Sequence, residues 1–69
     1  MVEISVIVPV YNEEENIDIF VKCVEKVFQN LSKSHEIIFV LDPSSDKTEE
    51  KILNQIQNNK NIKLIVLSR

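Results

Sequence analysis

Residues 4–15 read ISVIVPVYNEEE, and this stretch decides the fold of the chain. Its first half is an almost unbroken apolar run rich in β-branched residues, which predicts a strand buried on both faces, as in a parallel sheet. Pro9 cannot donate a backbone hydrogen bond, so the strand is expected to end there. Asn12 and Glu15 have the spacing of a capping box, which predicts a helix that begins at about Glu13. In an open α/β sheet, ligands bind at the carboxyl ends of the strands, so the turn after this strand is the first candidate site.

The rest of the chain repeats this alternation of strand and helix. Apolar residues recur at spacings of three and four, which predicts a first helix from about Glu13 to Leu31. Residues 36–41 predict a second strand and residues 62–67 a third, with a second helix from about Lys47 to Asn58 between them. The apolar stripes are Ile17, Phe20, Val21, Val24, Val27, Phe28 and Leu31 in the first helix, and Ile52, Leu53 and Ile56 in the second.

The order β-α-β-α-β predicts a three-stranded parallel sheet with two helices, an α/β fold. Right-handed crossovers place both helices on one face of the sheet. The other face of three apolar strands is then bare, and at least one strand edge is unpaired. Since 69 residues cannot supply the missing layer, we interpret residues 1–69 as an incomplete domain. The chain is expected to be the N-terminal part of a larger α/β domain, or a piece that must associate.

The composition is that of an ordinary globular chain, with 43% apolar and 28% charged residues and a net charge of −3. Its eight Lys and Arg residues are scattered, which argues against a nucleic-acid partner. The single cysteine, Cys23, indicates a reducing compartment, and we interpret it as a partly buried small hydrophobe. His35 is interpreted as a surface residue. With no signal peptide or spanning segment in sight, we expect a cytoplasmic location, with any membrane association supplied by segments outside this chain.

The two turns at the strand ends offer hydrogen-bond acceptors. The chain contains no glycine, which argues against a P-loop and a glycine-rich dinucleotide turn. The carboxylates of residues 13–15 would repel a phosphate, but Glu13 and Asp42 are suited to accept imide N–H and ribose hydroxyl groups. Tyr11 offers an aromatic surface to a base. This pattern suits the nucleoside end of a nucleotide, with the phosphates held elsewhere, for example by a metal.

A second interpretation of the same residues needs no ligand. In it, the polar residues at the strand ends only cap helices, and the glutamates only complement the helix dipole. Asp46 and Glu49 also have capping-box spacing. The residues that would act as caps are Asn12, Asp42, Ser44 and Asp46.

Three motifs, in order, resemble those of family 2 glycosyltransferases with the GT-A fold. Residues 5–14, SVIVPVYNEE, resemble the family's opening strand and its Pro-x-Tyr/Phe-Asn-Glu turn. Residues 36–48, EIIFVLDPSSDKT, resemble its second strand and the Asp-Asp-Gly-Ser-x-Asp-x-Thr motif. Residues 67–69, LSR, are similar to the Ser-Arg after the third strand in the branch that makes polyprenyl-phosphate sugars, including dolichol-phosphate mannose synthases.

The resemblance implies that the chain is the N-terminal part of a Rossmann-like GT-A domain that binds a nucleotide sugar. It implies an inverting, Mg²⁺- or Mn²⁺-dependent transferase that moves a sugar from a UDP- or GDP-sugar to an acceptor, with a polyprenyl phosphate expected, in cell-envelope glycan synthesis. The nucleotide-binding residues carried over from the motifs are Pro9, Tyr11, Asn12, Glu13 and Asp42, with Arg69 near the phosphates.

The chain departs from the family pattern at two positions of the second turn. Leu41 stands where the first acid of the pair is usual, and Pro43 stands where a glycine is usual, which stiffens the turn. In the family, the Asp-x-Asp metal motif and the catalytic base come later than these 69 residues. We therefore assign no catalytic residue and no metal ligand, expect no metal bound by this piece, and expect it to be inactive alone.

Two other functional classes stay open. One is a non-catalytic α/β binding or assembly module that self-associates through its exposed sheet. The other is a phosphoacceptor or flavin-binding domain, which lacks support because there is no phosphate loop and a receiver-like acidic cluster would need further strands.

Overall fold

The structure, a computed structural model, describes residues 2–42 and 47–67. It contains three parallel strands in the order β1-β2-β3 and two helices, so the predicted α/β architecture is confirmed. The elements are β1 (Ile4–Val10), α1 (Ile17–Leu31), β2 (His35–Leu41), α2 (Thr48–Asn58) and β3 (Ile62–Val66).

Both helices pack on one face of the sheet, as predicted. Alternate side chains of β2 form the centre of the core there, with Phe39 fully buried and in edge-to-face contact with Phe20 of α1 at a centroid distance of 6.0 Å. Burial of this apolar surface is the main stabilising term of so small a sheet. The buried core residues are Val10, Ile17, Val21, Ile37, Phe39, Leu41, Ile52 and Ile62.

The opposite face of the sheet is open within the described residues. Ile7 is 58% exposed and Ile65 is 51% exposed, and the exposure of β1 alternates along the strand. The prediction of strands buried on both faces is therefore wrong for this chain by itself, whereas the predicted bare face is confirmed. The apolar sequence of these strands is that of a sheet covered on both sides.

A polar row crosses this open face near the amino ends of the strands. Ser5, Glu36 and Lys63 lie side by side: the Ser5 hydroxyl donates to Glu36 Oε2 at 2.5 Å, and Lys63 Nζ lies 2.7 Å from Glu36 Oε1. The hydrogen bond from Lys63, followed by that from Ser5, lowers the pKa of the Glu36 carboxyl below its usual value. The row therefore fixes an ionised carboxylate on an otherwise apolar sheet face.

The prediction that β1 ends at Pro9 is wrong, because the strand continues through Pro9 to Val10. Ile4 N–H donates to the Ser34 carbonyl, and the Val10 carbonyl accepts from Asp42 N–H. The backbone N–H and C=O groups of the even-numbered residues of β1 therefore point toward β2. Pro9 is odd-numbered and faces the open edge, where its missing N–H breaks no bond to β2. Proline is tolerated in an edge strand for this reason.

Helix α1 begins at Ile17 and not at Glu13, so the predicted capping box is wrong. Asn12 has a φ of 51°, in the left-handed region that asparagine tolerates better than most residues, which is not the backbone of a helix cap. A turn follows, closed by Asn16 N–H to the Glu13 carbonyl at 2.9 Å, and the first helical bond runs from Phe20 N–H to the Asn16 carbonyl.

Several single-residue predictions for the helices are wrong. Cys23 is exposed on α1, and so are Val27 and Leu31 of the predicted stripe. In α2, Leu53 is 45% exposed, and the buried positions are Thr48 and Ile52. The predicted helix caps at residues 44–46 lie outside the described residues, as does Pro43.

The prediction that His35 is a surface residue is wrong, because its side chain is only 10% exposed. Its ring stacks on Phe28 with a centroid distance of 4.2 Å, and its Nε2 lies 3.2 Å from Glu25 Oε2. Asn59 donates a hydrogen bond from Nδ2 to the other oxygen of Glu25. This cluster ties the end of α1, the start of β2 and the segment after α2 together.

Candidate functional site

The structure brings the first turn and the end of β2 to the same edge of the sheet. Asp42 N–H donates to the Val10 carbonyl at 3.2 Å, one step beyond the last paired residues of the two strands. Tyr11 and Asp42 therefore follow neighbouring strands at the carboxyl edge. This is the edge at which parallel α/β sheets bind ligands.

Most of the predicted site residues present their surface to solvent. Tyr11 is 54% exposed, Pro9, Asn12 and Asp42 are exposed as well, and Glu13 is half-buried. Arg69, which is predicted near the phosphates, lies outside the described residues. Side chains that are accessible and follow adjacent strands can contact one ligand.

The Glu13 turn is held in place by three hydrogen bonds. Glu13 N–H donates to Thr48 Oγ1 at 2.8 Å, and Asn16 N–H donates to the Glu13 carbonyl at 2.9 Å. Asn16 Nδ2 also donates to Glu13 Oε2 at 3.0 Å. Both the backbone and the carboxylate of Glu13 are thus fixed relative to the starts of α1 and α2.

A cleft of about 150 Å³ lies beside this turn. Its walls are mainly apolar, and a carboxylate and an amide contribute its polar groups. Residues that line it include Val8, Val10, Glu13, Asn16, Phe20 and Phe39. Its lining, apolar with few polar groups, is like that of a ligand site, but its volume is below the roughly 300 Å³ at which small-molecule pockets begin.

The charged groups of the described edge are mainly carboxylates, from Glu13, Glu14, Glu15 and Asp42. Such groups accept hydrogen bonds and donate none when ionised, so the edge favours ligands with N–H and O–H groups over bare phosphate. Within residues 2–42 and 47–67, no group of three His, Cys, Asp or Glu side chains could hold a metal ion.

Sequence reasoning missed Thr48 and Asn16 as parts of the site. In the sequence, Thr48 is distinguished only as the last residue of a motif, and its contact with Glu13 spans 35 residues of sequence. A threonine at the start of an amphipathic helix was the available signal, since a hydroxyl there can reach nearby backbone groups.

The fold and the edge together define a parallel α/β unit with an acceptor-rich candidate ligand site at the carboxyl ends of its strands. A model of the family described as Glycosyl transferase family 2 matches residues 5–69. The chain therefore belongs to glycosyltransferase family 2, and its sheet and two helices are consistent with the N-terminal part of a GT-A domain.

Several curated proteins are similar to the chain. An uncharacterized glycosyltransferase of Synechocystis sp. is 41% identical over 69 residues, covering 99% of this chain and 21% of the relative. The undecaprenyl-phosphate 4-deoxy-4-formamido-L-arabinose transferase of Photorhabdus laumondii is 34% identical over 68 residues, covering 97% and 21%. A prophage bactoprenol glucosyl transferase homolog of Escherichia coli is 48% identical over 50 residues, covering 72% and 16%.

The chain spans about a fifth of the length of these curated relatives. In the part of the chain that the structure describes, neither helix is both long and apolar enough to cross a membrane.

Proposed function

We propose that this chain is the N-terminal, nucleotide-binding part of an inverting family 2 glycosyltransferase. The whole enzyme transfers a sugar from a UDP- or GDP-sugar to an acceptor. The observation that carries this proposal is the exposed, acceptor-rich turn at residues 11–13, which lies beside Asp42 at the carboxyl edge of a chain that belongs to the family.

The residues at this edge have distinct proposed roles. Glu13 and Asp42 accept hydrogen bonds from the base imide and the ribose hydroxyls, which are donors of the matching kind. Tyr11 presents its ring to the base, and Pro9 and Asn12 shape the strand end and turn that place it. Arg69 is proposed to lie near the phosphates.

The acceptor is proposed to be a polyprenyl phosphate, in the synthesis of a cell-envelope glycan. Two relatives support this choice, because their names specify undecaprenyl phosphate and bactoprenol. The enzyme is proposed to act at the cytoplasmic side, with any membrane attachment provided by segments outside this chain.

Divalent metal, Mg²⁺ or Mn²⁺, is proposed as the cofactor of the whole enzyme, as is general in the family. When bound, such an ion neutralises charge on the donor's phosphates. Its ligands and the catalytic base are proposed to lie outside the described residues. The chain by itself is therefore proposed to be inactive.

The test is calorimetric titration of the natural protein at full length with UDP and GDP, in the presence of Mg²⁺. We expect the protein to bind one of these two nucleotides. Glu13→Ala or Asp42→Ala should raise the Kd of that nucleotide by about tenfold to a hundredfold, the usual cost of losing a hydrogen bond to a charged group. Glu3→Ala is the matched control, because it removes an exposed carboxylate just before β1, at the other end of the strand. Equal Kd values in all four proteins would contradict the assigned site.

A second candidate function is an assembly module that self-associates without catalysis. The open sheet face favours this candidate, because it carries exposed apolar side chains. These are Ile7 in β1, Ile65 in β3 and Leu67 just after β3. Apolar surface of this kind is buried in most stable proteins. This candidate predicts association of the isolated chain and no affinity for UDP or GDP.

A further inference from the structure

We propose that Thr48 is a positioning residue for the nucleotide site: its hydroxyl holds the Glu13 peptide and thereby aims the Glu13 carboxylate. This inference rests on the proposed function and names a determinant of affinity that does not itself contact the nucleotide.

The contact is well defined and protected from water. Thr48 is the first residue of α2, is fully buried, and accepts a hydrogen bond from Glu13 N–H at 2.8 Å. Among the described residues it is the one polar or charged residue in the buried class. Buried polar groups in native proteins are almost always hydrogen-bonded, so a hydroxyl at this position needs a specific partner.

The Glu13 N–H needs this partner because of where the turn lies. Glu13 follows the left-handed Asn12 and precedes the first residue of α1 by four positions, so it takes no part in the bonds of that helix. Without Thr48, the Glu13 peptide would rotate toward another acceptor. The carboxylate on the same residue would then move relative to Asn16, which now donates to it at 3.0 Å.

The Thr48 hydroxyl also couples the two halves of the site. Thr48 begins the helix that follows the segment after Asp42, whereas Glu13 belongs to the turn after β1. One hydrogen bond thus ties the β1 turn to α2 across the same edge at which Asp42 N–H bonds the Val10 carbonyl. The distance between the two acceptor carboxylates depends on both contacts.

The test compares Thr48→Val with Thr48→Ser in the natural protein at full length. Valine keeps the shape and removes the hydroxyl, while serine keeps the hydroxyl and removes a methyl group. We expect Thr48→Val to raise the Kd of the bound nucleotide and the KM of the sugar donor about tenfold, with kcat changed less than about twofold. Thr48→Ser should stay within about threefold of the wild type in both quantities.

Two further variants separate positioning from stability. Ile52→Val trims a fully buried residue of the same helix and should lower the melting temperature without changing the nucleotide Kd. In a Glu13→Ala background, Thr48→Val should add no more than about twofold to the Kd, because the carboxylate that Thr48 positions is gone.

The possible failures are distinguishable. Wild-type nucleotide affinity in Thr48→Val would overturn the role of Thr48 and leave the proposed function intact. A wild-type protein that binds neither UDP nor GDP would overturn both. If Thr48→Val does not fold, Thr48→Ser decides: a Kd raised more than about tenfold would show that Thr48 acts through packing, and a Kd near that of the wild type supports the hydroxyl.

Discussion

At the amino end of the sheet, the imidazole of His35 lies on the ring of Phe28 and beside the carboxylate of Glu25. None of this follows from the sequence, because the partners come from α1 and from the segment after α2. The same is true of Thr48 and Glu13 at the opposite edge, which are 35 residues apart. Sequence patterns identify which residues can accept hydrogen bonds at a strand end, but they do not identify which distant side chain fixes them.

His35→Ala is therefore expected to lower the free energy of unfolding by about 1–3 kcal/mol, because it removes a stacked ring and the hydrogen bond to Glu25. Urea denaturation of the full-length natural protein measures the change. Lys33→Ala is the control: its ion pair with Glu3 at 3.6 Å is exposed, and its loss should cost less than about 0.5 kcal/mol. Equal effects of the two substitutions would show that the His35 cluster contributes no more than a surface pair.

At the scale of strands and helices, the order and type of all five elements could be predicted, because long apolar runs and three-four periodicity report burial directly. Several of their ends were predicted as well, since α1 ends at Leu31 and α2 at Asn58, but the end of β1 and the start of α1 were not. Pro9 was expected to end β1, but its missing N–H faces the open edge and costs no bond to β2. The start of α1 was misplaced because Asn12 takes a left-handed turn and not a helix cap.

The row formed by Ser5, Glu36 and Lys63 gives the sheet a pH dependence. The folded-state pKa of Glu36 is lowered, so its carboxylate stabilises the fold fully above the unfolded-state pKa of about 4.3, and this contribution is lost as the pH falls through the lower folded-state value.

The stability difference between wild type and Glu36→Gln should consequently shrink below about pH 4.3, as measured by urea midpoints of the full-length protein across pH. A Glu36→Gln difference that is constant from pH 7 to pH 3 would contradict the role of Lys63.

At the scale of the whole molecule, two helices cover one face of the sheet and leave the other face open among the described residues. The bare face was predictable, because right-handed crossovers place both helices together. The segment that covers this face could not be predicted, because an apolar strand sequence indicates that the face is buried but not which residues bury it. Further segments of a family 2 glycosyltransferase or a second copy of the chain would both bury this surface.

Self-association can be tested by sedimentation of the isolated chain over a range of concentrations. If the open face is the contact, the chain should form dimers, and Ile65→Asp should shift it to monomer because a charge cannot be buried there unpaired. Ile19→Asp, on an exposed position of α1, should leave the dimer unchanged. A monomer at every concentration, with helical and strand circular dichroism retained, would exclude the assembly module.

Pro9 also limits how the free edge of β1 can be extended. A strand added there could accept hydrogen bonds from the outward-facing N–H groups of Ser5 and Ile7. It could accept none from Pro9, which has no N–H. Such a strand would lack one ladder hydrogen bond at Pro9, although the Pro9 carbonyl could still accept one. The pairing of a larger sheet would therefore be weakest beside residues 11–13, where the candidate nucleotide site lies.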